Sequence, residues 1–181
     1  MRVIAGTAGG LRLATLPGSA TRPTLDRVRE SLFAILAPRL EGARVLDLYA
    51  GTGALGIEAL SRGAASCRFV DAEPRALSVV RENLRRTRLE TAAEVSRLRL
   101  PGGLAQLRSE GPYDIALLDP PYAEAPWEAL LTGLLDLLAA QGLAVCEHAC
   151  RAPVPLLPGW RQVRSAQYGQ TCVNILGRDD A

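Results

Sequence analysis

Lysine is absent from this 181-residue chain: all 21 basic residues are arginine. Each fixed positive charge is therefore a planar fork that matches phosphate geometry, although the same bias is what a GC-rich genome produces. Histidine is nearly absent too. The single imidazole, His148, lies in a strand-like stretch and reads as a strand-end residue, not a catalytic base. The four cysteines (Cys67, Cys146, Cys150 and Cys172) show no paired C-x-x-C spacing. The run Cys146-Glu-His148-Ala-Cys150 is better explained by alternating residues on a buried strand than by a metal cluster, so no metal is expected. There is no apolar run near eighteen residues and no basic-apolar-small leader, which predicts a soluble, unexported, cytoplasmic protein. Repeats and low-complexity linkers are missing as well. At this length the expectation is one domain over 1–181, with enough core to bury most of its apolar surface.

Charge is unevenly spread. Residues 1–44 hold seven arginines against Asp26, Glu30 and Glu41, a balance of +4, whereas the remainder holds 14 basic against 16 acidic residues, a balance of −2. A net +2 alone says nothing of nucleic acid, but a concentrated positive end makes an RNA backbone a plausible partner.

The most specific feature is Asp119-Pro120-Pro121-Tyr122, which follows an apolar run, Tyr113 to Leu118, that reads as a buried parallel strand. Two prolines remove two N–H donors and fix φ, so the chain leaves the sheet on a stiff, extended path with its carbonyls uncommitted. A flat group bearing an NH2 would find acceptors in the Asp119 carboxylate and a proline carbonyl, and a stacking face in Tyr122. Nucleobases with exocyclic amines fit that description.

Upstream, Val45 to Gly56 reads as a short strand, a glycine turn and the start of a helix. Gly51, Gly53 and Gly56 satisfy G-x-G-x-x-G in the strand-turn-helix context that lets backbone approach a ligand closely. The next strand, Cys67 to Val70, ends at Asp71, twenty residues past Gly51, where a carboxylate would accept hydrogen bonds from ribose hydroxyls. An NAD site is the default for such a pattern. Asp47 argues against it, because negative charge four residues before the first glycine repels a pyrophosphate and attracts an ammonium-bearing ligand.

Along the chain, Arg2–Gly6 and Leu11–Ala14 flank a glycine turn and predict a hairpin ahead of the main sheet. Residues 24–37 predict an amphipathic helix with Thr24 as N-cap and with Arg27, Arg29 and Glu30 on its polar face. A second helix begins at Pro74 and turns Arg81, Arg85, Arg86 and Arg88 outward. A leucine-rich helix is expected over Trp127–Leu138, then a strand over Gly142–Cys146, then an antiparallel pair, Trp160–Val163 with Thr171–Ile175.

Four segments together, Asp47 to Gly63, Arg22-Pro-Thr-Leu-Asp-Arg-Val-Arg-Glu-Ser-Leu-Phe33, Asp119-Pro-Pro-Tyr122 and Tyr168-Gly-Gln-Thr171, resemble the bacterial 16S rRNA guanine(966)-N2 methyltransferases, which belong to the class I S-adenosylmethionine-dependent methyltransferases. The resemblance runs from Arg2 to about Leu176. It implies an α/β, Rossmann-like fold: a mostly parallel seven-stranded sheet between helices, with residues 1–22 as an N-terminal hairpin extension and residues 23–181 as the core with its leading helix. It implies S-adenosylmethionine as cofactor, held by Asp47, Tyr49, Ala50, Gly51, Thr52, Gly53, Gly56, Asp71, Ala72, Glu73 and Asp119. Catalysis falls to Asp119, Pro120, Pro121 and Tyr122, and the RNA-contacting residues are Arg2, Arg12, Arg22, Arg27, Arg29 and Tyr122. The partner it implies is 16S rRNA or a small-subunit assembly intermediate, met by a monomer. One departure stands out: Ser96 to Gly103 lacks the acid or amide that usually follows the third strand near adenine. The competing readings are another amino-group methyltransferase, acting on DNA adenine or a protein amide, and a non-catalytic RNA-binding assembly factor; the intact glycine loop speaks against the latter.

Overall fold

The computed structural model describes residues 1–16, 23–121 and 125–179, with only the backbone for 23–25. Arg22 and Tyr122 therefore lie outside the described residues. The chain packs as two compact units, Met1–Arg97 and Leu98–Ala181.

In the first unit, α1 (Pro23–Leu36), β1 (Arg44–Leu48), α2 (Ala54–Ser61), β2 (Ser66–Asp71), α3 (Pro74–Thr87) and β3 (Ala93–Arg97) alternate, and the strands lie in the order β3-β2-β1. Both pairings are parallel, with Val45 opposite Cys67 and Phe69 opposite Val95. Alternation of strand and helix produces this arrangement, since each crossover helix lays an apolar face on the sheet. On α3 that face is Leu77, Val80 and Leu84, all buried. Helix α1 starts at Pro23, so Thr24 lies within its first turn and is not the N-cap; proline's fixed φ and missing N–H suit that first turn.

The N-terminal segment differs from the predicted hairpin. Its two arms meet in one antiparallel bridge, Arg2 with Arg12, supported by bonds from the Val3 amide to the Leu11 carbonyl and from the Gly10 amide to the Val3 carbonyl. Strand pairing stops there because the next amides are taken by a side chain. Glu58 of α2 is completely buried, and its carboxylate accepts from Ile4 N–H at 2.7 Å, from Ala5 N–H at 3.1 Å and from Arg62 Nε at 2.7 Å. Ser61 adds a bond from its hydroxyl to the Ala5 carbonyl and accepts from Ala8 N–H. Gly6 sits against this helix with φ +84°, and a Cβ there would meet the Ser61 carbonyl oxygen at 1.8 Å.

In the second unit, β4 (Tyr113–Leu118), α4 (Trp127–Leu135), β5 (Leu138–Ala149), β6 (Trp160–Tyr168) and β7 (Thr171–Arg178) are ordered β4-β5-β7-β6. Strand β4 occupies the predicted run. It pairs with β5 in parallel, and β7 lies antiparallel to both β5 and β6. The predicted closing pair is present, and it is longer than expected. Two other bounds shift: α4 ends three residues early and β5 begins four residues early. The cause is a backbone contest at Leu137 and Leu138, where the Leu137 carbonyl accepts from Tyr113 N–H and Leu138 enters the ladder opposite Tyr113. The register then slips so that Ile115 meets Leu143. Trp160 closes the core from the other side, donating Nε1–H to the Leu131 carbonyl.

Removing one partner of a buried, hydrogen-bonded ion group costs about 3–5 kcal/mol. Glu58→Ala should therefore lower the denaturant midpoint by that order and accelerate hydrogen exchange at Ile4 and Ala5 well beyond global unfolding. A variant with unchanged protection at those two amides would show that the N-terminal segment is held by something else.

Candidate active site

The glycine loop is built by backbone conformations that the sequence permits only at particular points. Gly51 and Gly53 have φ of +55° and +78°. Tyr49 adopts φ +60° without being glycine, an uncommon conformation for a bulky residue and one that concentrates at functional sites. Gly56 serves a different end. Its φ is ordinary, but a Cβ would lie 2.4 Å from Phe69 Cε1 and 2.7 Å from Cys67 Sγ, so glycine is what lets α2 pack closely on β2.

Two carboxylates hold this loop. Asp71, at the carboxyl end of β2, accepts from Gly51 N–H through Oδ2 and from Glu73 N–H through Oδ1, both at 2.9 Å. It thereby ties the glycine turn to the entry of α3. A carboxylate offers about four acceptor sites, so two remain for ribose hydroxyls. Asp47 is buried to 1 % exposure, and its Oδ2 accepts from Gly56 N–H at 2.9 Å, which caps α2 from within β1. Burial pushes its carboxyl up to about 8; the Gly56 bond works against this and the nearby Asp71 charge adds to it. Burial and the Asp71 charge also raise the Tyr49 phenol. A cation close by would favour the ionised form of this carboxyl, so the residues present fit a ligand that carries positive charge beside a ribose.

Thr52 is buried in the loop and Ala72 is half-buried, while Glu73 is exposed at the N-cap of α3. Ala50 N–H donates to the Val70 carbonyl. A residue that motif reasoning missed joins this group: Asn83 of α3, fully buried, donates Nδ2–H to the carbonyls of Thr52 and Ala14 and accepts from Ala14 N–H at 2.7 Å. It clamps the N-terminal segment to the glycine loop. The available signal was a lone amide on the otherwise apolar face of α3.

The Asp119-Pro-Pro turn follows β4 as predicted. Asp119 is exposed, Pro120 buried and Pro121 exposed, and the apolar strand before them is buried from Ile115 to Leu118. An exposed carboxylate at the carboxyl end of a parallel strand is where open α/β sheets place their chemistry. Tyr122 lies outside the described residues.

The arginines divide. Arg2 and Arg12 are exposed and face each other across the N-terminal bridge, and Arg27 is exposed on α1. Arg29 is not on the polar face where the helical pattern put it. It is 5 % exposed, and its Nη2 donates to Asp26 Oδ1 and to the Arg2 carbonyl, each at 2.7 Å. Arg29 fastens α1 to the N-terminal bridge, which removes it from the RNA-facing set. Arg81, Arg85, Arg86 and Arg88 are exposed, as expected.

A family model described as "Conserved hypothetical protein 95" matches residues 1–177. Among curated proteins, the chain is 42% identical over 180 residues to "Putative rRNA methyltransferase YlbH" of Bacillus subtilis, covering 97% of each chain. It is 32% identical over 183 residues to "Ribosomal RNA small subunit methyltransferase D" of Escherichia coli, covering 99% of this chain and 90% of that one. Among solved structures, "Putative methyltransferase yhhF from Escherichia coli" superposes with a TM-score of 0.86 at 31% identity, over 100% of this chain and 99% of that one.

The raised Asp47 carboxyl has a measurable consequence. The folded chain binds this proton more tightly than the unfolded chain does between about pH 4 and about pH 8. The contribution is fully present below about pH 4 and is lost as pH rises toward about 8. Asp47→Asn, which keeps an oxygen for Gly56 N–H and cannot ionise, should flatten the fall in Tm across that window and equal or exceed the parent near pH 8. Parallel Tm curves for the two proteins would mean that Asp47 is ionised in the fold.

Proposed function

Since the chain belongs to the family Conserved hypothetical protein 95 and is a methyltransferase of the Rossmann-like class I fold, we propose that it transfers a methyl group from S-adenosylmethionine to the N2 amine of guanine 966 in 16S rRNA. Its partner on this reading is 16S rRNA or a small-subunit assembly intermediate, met in the cytoplasm by a monomer. The observation that carries the cofactor assignment is the pair Asp47 and Asp71 around the glycine loop. S-adenosylmethionine, when bound, supplies a methyl group on a positively charged sulfur. Asp71 would accept from its ribose hydroxyls, Asp47 would supply negative charge toward its cationic groups, and the backbone from Tyr49 to Gly53 would line it. The N-terminal part of α3, with Ala72 and Glu73 before it, would flank the sugar and base.

The exocyclic amine of guanine is a poor nucleophile because its lone pair is delocalised into the ring. Asp119 and the Pro120 carbonyl, accepting its two hydrogens, would draw the nitrogen toward tetrahedral geometry and stabilise positive charge as it develops. Pro120 and Pro121 keep those acceptors from relaxing, because neither ring can donate to or follow a neighbouring strand. Tyr122 would stack on the extruded base. Alignment supplies much of the remaining acceleration. The proton leaves with or after transfer. An enzyme acting on DNA adenine or a protein amide would share the acceptors; the Arg22–Phe33 segment and Tyr168-Gly-Gln-Thr171 favour the rRNA reading.

Mass mapping of small-subunit rRNA should show N2-methylguanosine at position 966 in cells that hold the protein and unmodified guanine in cells that lack it. With purified protein, Asp119→Ala should reduce turnover by a factor on the order of a hundred or more and change cofactor affinity far less. Turnover at the parent rate would return the turn to a structural role. Neutralising Arg2, Arg12 and Arg27 together should weaken rRNA binding and lower the salt slope by about 2, at roughly 0.7 per phosphate contact in single strands. Cofactor affinity should not change; an unaltered slope would place these arginines on a merely solvated face.

A further inference from the structure

Cys150 and Cys172 are joined by a disulfide, with Cα atoms 5.0 Å apart and 22 residues of separation. The bond ties the end of β5 to the start of β7, beside the turn at Gly169-Gln170, where Cys150 N–H donates to the Gln170 carbonyl at 3.0 Å. Both cysteines are half-buried, so small reagents can reach them. The two other cysteines, Cys67 and Cys146, are free and buried, and burial raises both thiols well out of the reactive range.

His148 is the direct register partner of Cys172 across the β5–β7 ladder, and partners in a ladder share a face. The imidazole is 4 % exposed. Its Nδ1 lies 3.0 Å from the Ala149 carbonyl, an acceptor only, so Nδ1 carries a hydrogen, and in the tautomer with a hydrogen on Nδ1 alone Nε2 is an acceptor. Nε2 is buried and has no hydrogen-bond partner. A buried acceptor left unmade is costly. In the disulfide form neither sulfur has a hydrogen to give it; in the dithiol form the Cys172 S–H is the donor placed opposite.

We propose that Cys150, Cys172 and His148 form a reversible thiol–disulfide site for small-molecule disulfides such as glutathione disulfide, with His148 as proton acceptor for Cys172. Starting from the dithiol, the Cys172 proton passes to His148 Nε2 and the thiolate attacks one sulfur of the glutathione disulfide, expelling one glutathione thiolate and leaving a mixed disulfide on Cys172. The Cys150 thiolate then attacks the Cys172 sulfur and expels the second glutathione. Two protein thiols are oxidised, one glutathione disulfide is reduced to two thiols, and the two protons released from the cysteines end on the departing thiolates. A reducing cytoplasm holds such a site as the dithiol, and an oxidising excursion closes it. Closure fastens the Tyr168–Thr171 turn to β5.

Reduced protein is incubated in glutathione redox buffers, quenched by alkylation and mass-mapped under native conditions. The expected result is one two-electron transition in which Cys150 and Cys172 are protected together while Cys67 and Cys146 stay thiols; a mixed disulfide that accumulates without closing, or oxidation of the buried pair, overturns the proposal. Thiol reactivity separates the histidine's part. Cys172 in Cys150→Ser should react with iodoacetamide at neutral pH about tenfold or more faster than Cys150 in Cys172→Ser, as a thiolate paired with a base does. Adding His148→Phe should abolish that advantage for Cys172 and leave Cys150 unaffected. Equal rates for the two cysteines in the His148 background overturn the assignment without any histidine variant, and a Cys172 rate indifferent to His148→Phe removes the proton acceptor.

Discussion

The bond from the Gly56 amide to the buried Asp47 carboxyl group is the constraint on which the first unit's geometry depends. It joins Asp47, next to the end of the first strand, to the first turn of the next helix, and it does so in a buried position. A carboxyl so placed resists ionisation, and its oxygen is worth more to the helix than a surface cap would be, because the effective dielectric is low. The same burial raises the carboxyl to about 8, and on the proposed function a cationic ligand would draw it back toward the anion. Close approach of α2 to β2, permitted by the missing side chain at Gly56, follows from this anchor.

Around that anchor, side chains take over work that secondary structure would otherwise do. Glu58 takes the amides of Ile4 and Ala5, Asn83 takes both backbone groups of Ala14, and Arg29 takes the Arg2 carbonyl. A short glycine-rich segment that could not sustain two paired strands is held in place by three buried polar residues from three helices. Glu58 and Asn83 are satisfied largely by backbone, which is how interior polar groups meet the cost of leaving water, whereas Arg29 bonds through Nη2 alone. The outcome is a positively charged segment of defined shape, with Arg2 and Arg12 exposed on it, fastened to the glycine loop through the Thr52 carbonyl that Asn83 also holds.

The second unit uses stiffness where the first uses buried carboxylates. Pro120 and Pro121 follow β4 with no N–H to donate, so the chain leaves the sheet at the strand's carboxyl end, with Asp119 exposed there. Farther along, the β5–β7 ladder carries a second chemistry: a histidine with one satisfied and one unsatisfied nitrogen stands opposite a cysteine that is bonded diagonally to its neighbour.

Local pattern in the sequence determined much of this protein. The strand Tyr113–Leu118, the glycine turn with Asp71 twenty residues on, the outward arginines of α3 and the antiparallel closing pair all follow from periodicity, turn chemistry and motif spacing, which depend on near neighbours in the chain. Tertiary structure alone decided the rest. Arg29 and Arg27 look alike on a helical pattern, and only the packing of the N-terminal bridge buries one of them. Asn83 and Glu58 read as ordinary helix polar residues until backbone from 53 to 69 positions away arrives to be satisfied. The bounds of α4 and β5 were settled by Tyr113 competing for Leu137, and the Cys150–Cys172 bond by a ladder register that no spacing encodes. In each case a polar group chose its partner after desolvation, and which partner is near at that moment is a property of the fold.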